Sequence, residues 1–321
     1  MTAIETQSLT KRYGEAAAVD GLDLVVEEGE VFGFLGPNGA GKSTTINMLL
    51  DFIRPTSGSA VVLGMDARAE SQAIRERIGV LAEGLDLYGR LTGRRHLELA
   101  LEWADGTEPP TSLLERVGLS TDAAERTVGG YSKGMKQRLA LAMALAGDPD
   151  LLILDEPSTG LDPNGIRTMR ELVRDAADDG AAVFFSSHDL GQVESVCDRV
   201  GILNDGQLVA VDTVDGLREA VGAHAELYLR IADEPDVDLQ WIDGVTEATY
   251  QDGRLTVTCD DPRAKARAIG ALRDAGIEVL DVDASSVSLE DVFAAYTNGD
   301  VDLVEESGDA EESGRLAGVL Q

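Results

Sequence analysis

The sequence predicts an α/β protein followed by a smaller α+β domain, and three observations carry that reading. Apolar runs at 31–35, 151–154 and 181–185 have the composition of strands buried on both faces of a sheet. They alternate with longer helical stretches up to about residue 212, the pattern of a parallel sheet wrapped by helices. Beyond about residue 222, polar and apolar positions alternate instead, which suits half-buried strands.

In chain order, the run Val31–Leu35 leads into a glycine-rich loop and a helical stretch over 42–52. A mostly helical subdomain is expected over about 91–147. Its segment 92–104 carries Leu97, Leu99 and Leu101 with Trp103 near its end, before Pro109 and Pro110 break the chain. In the second domain, Leu227, Leu229 and Ile231 mark a strand. Segments 245–250 and 254–259 flank Asp252-Gly253, a hairpin signal. A helix over 262–275 starts at a proline and ends before Gly276. A strand at 277–282 follows, and Ser288-x-x-Asp291 resembles a capping box for a helix over 289–296. The expected domains are therefore 1–222, 223–298 and a tail, 299–321, whose first fifteen residues hold seven acidic and no basic side chains, the composition of a solvated, disordered segment.

Composition excludes several classes of protein. With 43% hydrophobic residues the chain can bury a real core. Cys197 and Cys259 are too few for a disulfide framework and have no zinc spacing. No apolar run approaches the ~20 residues of a membrane span, and the first residues show no secretory leader. The net charge is −32, which opposes binding to nucleic acid. Acidic residues run along the whole chain and only five of the 27 basic residues are lysines, so the charge predicts adaptation to high salt rather than an acidic binding surface.

The chemistry starts at Gly36-Pro37-Asn38-Gly39-Ala40-Gly41-Lys42-Ser43, which fits G-x-x-x-x-G-K-[ST] completely between a strand and a helix. Glycines let backbone N–H groups curl around phosphate oxygens, and the helix N-terminus adds its positive end. Lys42 is expected on the β- and γ-phosphates and the Ser43 hydroxyl on Mg²⁺. The apolar segment 151–154 ends in Asp155 and Glu156. Asp155 is placed to hold Mg²⁺ through its water shell, and Glu156 to orient or deprotonate the attacking water. No Asn-Lys-x-Asp guanine reader is present, which favours ATP.

Tyr131-Ser132-Lys133-Gly134-Met135-Lys136-Gln137-Arg138 resembles the signature motif of ABC (ATP-binding cassette) ATPases, with Lys133 replacing the usual first glycine. Ser158-Thr159-Gly160-Leu161-Asp162 is similar to the family's D-loop, His188 to its switch histidine, and Tyr13 to the aromatic that stacks on adenine. Glu83 stands where the family usually has a glutamine. The resemblance covers about residues 3–212.

That resemblance implies a P-loop NTPase fold with an inserted helical subdomain, and a head-to-tail homodimer sandwiching ATP and Mg²⁺. ATP would touch Tyr13, residues 36–44 from Gly36 to Thr44, and Ser132, Lys133 and Gly134 of the other subunit. Mg²⁺ would take Ser43, Asp155 and Glu83. Lys42, Glu156 and His188 would be catalytic, and Asp162 would lie at the dimer contact. The resemblance further implies a separate integral membrane permease, reached through the helical subdomain at the cytoplasmic face of the membrane. The signature motif and Ser288-Leu289-Glu290-Asp291-Val292-Phe293 look like ATPases paired with ABC-2 type permeases, which export drugs, ions or lipids. The short stretch 104–119 also resembles the ATPase of the copper-associated transporter in nitrous-oxide reductase maturation. Repair and translation ABC ATPases carry heptad insertions, zinc cysteines or two cassettes, and this chain has none of them. Intact Lys42, Asp155, Glu156 and His188 argue against a regulatory module with a dead ATP site.

Overall fold

The computed structural model describes every residue except 222–224, 232–237, 252, 260–261, 286–287 and 299–321. The acidic tail and Asp252 of the hairpin turn thus lie outside the described residues.

The chain opens with two long strands, β1 (Thr2–Tyr13) and β2 (Ala16–Glu27), before β3 (Val31–Leu35) and α1 (Lys42–Leu49). Strands β4 (Ser57–Val62) and β5 (Met65–Asp66), helix α2 (Ser71–Arg75) and strand β6 (Ile78–Leu81) follow. The helical subdomain comprises α3 (Gly93–Trp103), α4 (Pro110–Arg116), α5 (Thr121–Ala124) and α6 (Lys133–Ala144). Then come β7 (Leu151–Asp155), α7 (Pro163–Asp178), β8 (Ala182–Ser187), α8 (Leu190–Val196), β9 (Arg199–Asn204), β10 (Gln207–Asp212) and α9 (Val214–Ala220). The last part holds β11 (Ala225–Ile231), β12 (Val245–Gln251), β13 (Arg254–Cys259), α10 (Pro262–Asp274), β14 (Val279–Ser285) and α11 (Leu289–Asn298).

The central sheet has the order β10-β9-β3-β8-β7-β6, parallel except for β10. Its inner strands β3, β7 and β8 are buried at every position because both faces are covered, and successive side chains go to opposite faces. Val31, Leu35, Leu152, Leu154, Val183 and Phe185 join the core formed with the helical subdomain, α7 and α8. Phe32, Phe34, Leu151, Ile153 and Phe184 join a second core with α1 and an antiparallel sheet of order β2-β1-β4-β5. This antiparallel sheet departs from the expected strand–helix alternation over the first thirty residues. Its inward set, including Leu22, Leu24 and Val26, shows why: period-two burial needs one covered face only.

The small domain is a third, antiparallel sheet, β12-β13-β11-β14, with α10 burying Ala264, Ala268 and Leu272 against Leu227, Leu229, Leu255 and Val257. Helix α11 does not join it. Leu289 and Val292 lie in the core of the nucleotide domain, with α11 packed on α8, α9 and β9, and Asn204 Nδ2 donates to the Thr297 carbonyl at 3.3 Å. The expected grouping of 289–298 with the small domain is corrected accordingly. The capping box itself forms: the Ser288 amide donates to Asp291 and the Asp291 amide to Ser288 Oγ, each at 3.2 Å.

Candidate nucleotide site

The functional side chains gather at the C-terminal ends of parallel strands, where an α/β sheet opens its crevice. β3 ends at Leu35 beside Ser187, and β7 ends at Asp155 beside Ser186. The loop after β3 turns back through Gly41, whose φ of +113° favours glycine and where a Cβ would collide with the Ala18 carbonyl of β2. That contact seats the loop against the antiparallel sheet. Helix α1 begins directly after Gly41, with no side-chain cap, so its first amides face the loop.

A cleft of about 310 Å³ is lined by Asn38, Gly39, Gly41, Lys42, Ser43, Thr44, Glu83, Asp155, Glu156 and His188, with Ala18 at its rim. Lys42 is buried, and its ammonium donates to the carbonyls of Gly36 at 2.6 Å and Pro37 at 3.3 Å. Burial lowers its pKa, opposed by Glu156, Asp155 and Glu83. Ser43 Oγ donates to Asp155 Oδ2 at 3.4 Å. Burial raises the Asp155 pKa, and the nearby charges of Glu83 and Glu156 push the same way. Two buried carboxylates, Asp155 and Glu156, with the exposed Glu83 and a hydroxyl beside them, are unfavourable by themselves and call for a cation.

Glu156 sits in the left-handed region, with φ +51°, and its amide donates to the Ser186 carbonyl at 2.9 Å. That turn is unusual for a non-glycine residue and costs about 1–2 kcal/mol. It swings the carboxyl towards His188, whose Nδ1 lies 2.8 Å from Glu156 Oε1. Glu156 Oε2 is buried with no hydrogen-bond partner.

Among the described residues, no group of three His, Cys, Asp or Glu side chains could hold a metal alone. Mg²⁺ is commonly bound by one or two carboxylates plus substrate phosphates and waters; Ser43, Asp155 and Glu83, which line the cleft together, are oxygen donors of that kind.

The remaining sequence candidates lie elsewhere. Tyr13 ends β1 at the hairpin tip, 53% exposed, with Lys11 Nζ 5.0 Å from its ring centroid, and it does not line the cleft. Ser132 caps α6 by accepting from the Met135 amide at 3.2 Å. Lys133 lays its stem over Gly160, and Gly134 faces the Gly160 carbonyl. These three residues form a separate surface outside the cleft of their own chain. Asp162 caps α7, and the Gly165 amide and Arg138 hold its carboxyl below the usual carboxylate range. The sequence places Gln137 and Arg138 in the signature-like motif but gives no sign that their side chains hold segment 156–162, and it does not point to Ala18. The glycine at 41 hints at a close neighbour but does not name it.

A glycine-rich loop between a buried strand and a helix N-terminus, a buried strand ending in Asp155 and Glu156, and His188 on Glu156 thus meet on a mixed sheet with an inserted helical subdomain, the arrangement of a P-loop nucleotide site. The ABC transporter family profile matches residues 19–159. The daunorubicin/doxorubicin resistance ATP-binding protein DrrA of Streptomyces peucetius is 38% identical, with 94% of each chain covered. The bacitracin transport ATP-binding protein BcrA of Bacillus licheniformis is 38% identical over 93% of this chain and 98% of its own. Among solved structures, a dimeric ATP-binding cassette in a post-hydrolysis state, bound to ADP and Pi, superposes with a TM-score of 0.61. It is 26% identical and covers 65% of this chain and 98% of its own. The chain belongs to the family of ABC transporter ATP-binding proteins. It is an ATPase of that family, and nothing in these relatives' names supports the copper-associated alternative.

Proposed function

We propose that this chain is the ATP-hydrolysing subunit of an exporter, working as a head-to-tail homodimer on a separate membrane permease. The observation that carries the reading is the convergence of Lys42, Ser43, Asp155, Glu156 and His188 on one cleft, which Ser132–Gly134 of the same chain do not line. A second copy is then needed to bring a signature motif to each ATP. The full-length likeness to drug-resistance and antibiotic-transport ATP-binding proteins supports export.

In this reading Lys42 and the loop amides bind the β- and γ-phosphates. Ser43 and Asp155, with Glu83 alongside, would hold Mg²⁺, which would supply positive charge to the phosphates. Glu156 Oε2 accepts a proton from the attacking water, and His188, on Oε1, fixes the carboxyl and faces the γ-phosphate. No described helix is long and apolar enough to cross a membrane. A groove between β6 and the helical subdomain, lined by Leu85, Ala100, Trp103 and Met143, suits a cytoplasmic helix of the permease. Trp103 is 72% exposed there, a large apolar surface at a groove mouth. Glu83, two residues before Leu85, links nucleotide to that groove.

The test is efflux. The chain is expressed with a candidate permease in a drug-sensitised host, beside its Glu156→Gln variant. Resistance that only the wild type confers supports the reading. Resistance equal in the two refutes ATP-driven export.

A further inference from the structure

Two consecutive side chains of α6 hold both ends of the segment that runs from Glu156 to Asp162. At one end Gln137 Nε2 donates to the carbonyls of Pro157 at 2.9 Å and Glu156 at 3.3 Å. At the other, Arg138 Nη2 donates to Asp162 Oδ1 at 2.8 Å. The same oxygen accepts from the Gly165 amide and so starts α7. Arg138 Nη1 reaches the opposite way, to the carbonyls of Gly118 at 3.2 Å and Val117 at 3.3 Å after α4. Its guanidinium passes between two glycines. A Cβ would stand 2.8 Å from Nη1 at Gly118 and 3.0 Å from Nη2 at Gly165. Midway, a Cβ at Gly134 would stand 2.8 Å from the Gly160 carbonyl oxygen, so helix and segment touch along their length.

These contacts matter because Glu156 holds a left-handed backbone at φ +51°. Such a conformation persists only when its surroundings over-determine it. The Ser186 carbonyl holds the Glu156 amide at 2.9 Å, and the Glu156 carbonyl accepts from the Thr159 amide at 3.1 Å and from Gln137 Nε2 at 3.3 Å. The restraint that comes from outside the turn on the carbonyl side is therefore supplied by α6, whose first turn carries Ser132–Gly134. Ser132 and Gln137 are separated by about 7.5 Å of rigid helix.

We propose that Gln137 and Arg138 are positioning residues that make α6 and segment 156–162 one body. Capture of the partner subunit's ATP by Ser132–Gly134 then sets the backbone of Glu156 in the chain's own site, which couples the two hydrolysis sites. This rests on the head-to-tail dimer proposed above. Gln137 governs the Glu156 end. Arg138 carries the tilt of the helical subdomain, through Gly118, to Asp162.

The test uses the full chain in molar salt, with Gln137→Ala and Arg138→Lys as variants. ATP turnover is measured against ATP concentration, and MgATP-driven dimerisation by gel filtration in a Glu156→Gln background. Gln137→Ala should lower kcat about tenfold, the weight of one or two neutral hydrogen bonds. It should also bring the Hill coefficient from near two to near one. KM and dimerisation should stay within about twofold, since Gln137 does not line the cleft. Arg138→Lys, which keeps the charge and one bond, should shift kcat and the Hill coefficient the same way by less. A purely structural role would lower the melting temperature and leave the Hill coefficient unmoved. Wild-type kcat and cooperativity in both variants, with normal dimerisation, overturns the coupling. A Glu156→Gln chain that never dimerises and a wild type with a Hill coefficient of one overturn the dimer reading, and the coupling with it.

Discussion

Replacing Glu156 by glutamine isolates the proton-accepting step. The Glu156 side chain is 9% exposed, and its Oε1 is taken by His188 at 2.8 Å. Only Oε2, buried and without a partner, is left to receive a proton from water. Glutamine keeps the size and can keep an oxygen facing His188 Nδ1, but it then puts an NH₂ donor where Oε2 stood. The phosphate loop is untouched, so MgATP affinity should remain near wild type. Loss of a general base typically costs about 10²–10⁴ in rate, or about 3–5 kcal/mol of barrier. Turnover should fall by that factor in a steady-state phosphate-release assay. In the proposed dimer reopening follows hydrolysis, so the variant should also run as an ATP-bound dimer on gel filtration. Turnover within threefold of wild type would refute the base assignment and move the role to another group, with His188 the nearest. Slow turnover by a strict monomer would keep the base and refute the shared-site dimer.

Three further outcomes follow from the same geometry. Burial raises the Asp155 pKa, so the folded chain holds that proton more tightly than the unfolded chain does. The ionised form therefore costs stability at neutral pH, and the cost is relieved as pH falls through the raised value. Asp155→Asn should raise the nucleotide-free melting temperature at pH 7 and abolish the extra rise given by Mg²⁺ with ATP; an unchanged Mg²⁺-dependent rise would refute the metal role. With a net charge of −32, the chain should melt earlier or aggregate at low ionic strength, since the Debye length grows from ~3 Å at 1 M to ~30 Å at 0.01 M. A melting temperature constant across that range would refute salt adaptation. Leu289 is fully buried in the nucleotide-domain core, so Leu289→Ala should destabilise that domain by about 2–5 kcal/mol in a urea titration. A change below 1 kcal/mol would refute the packing of α11.

What could be read from the sequence, and what could not, divides along a physical line. The phosphate loop was legible because a tight turn around phosphate dictates residue identity, as the +113° φ of Gly41 illustrates. The strand at 151–155 was legible because burial on both faces leaves an unbroken apolar run ending in two acids. The antiparallel sheet was harder. Leu22, Leu24 and Val26 alternate cleanly, but β1 shifts register between Thr6 and Leu9, and Ser8 there has φ +45°. A bulge resets the two-residue period and hides the strand. Helix α11 shows a different limit. Its cap and its amphipathic face are local facts, so the helix could be placed within two residues of its end. Which core receives Leu289 and Val292 is a long-range choice that either hydrophobic surface could satisfy. Gln137 and Arg138 are the extreme case. Polar side chains on a helix read as solvent-facing by pattern alone. Only the neighbouring carbonyls of Glu156 and Pro157, nineteen and twenty residues on, reveal that Gln137 braces Glu156. The proposed coupling would rest on such contacts, because it must join segments far apart in sequence. A phosphate cradle can be written into eight consecutive residues, whereas Asp155, Glu156 and His188 are brought to it from the ends of other strands.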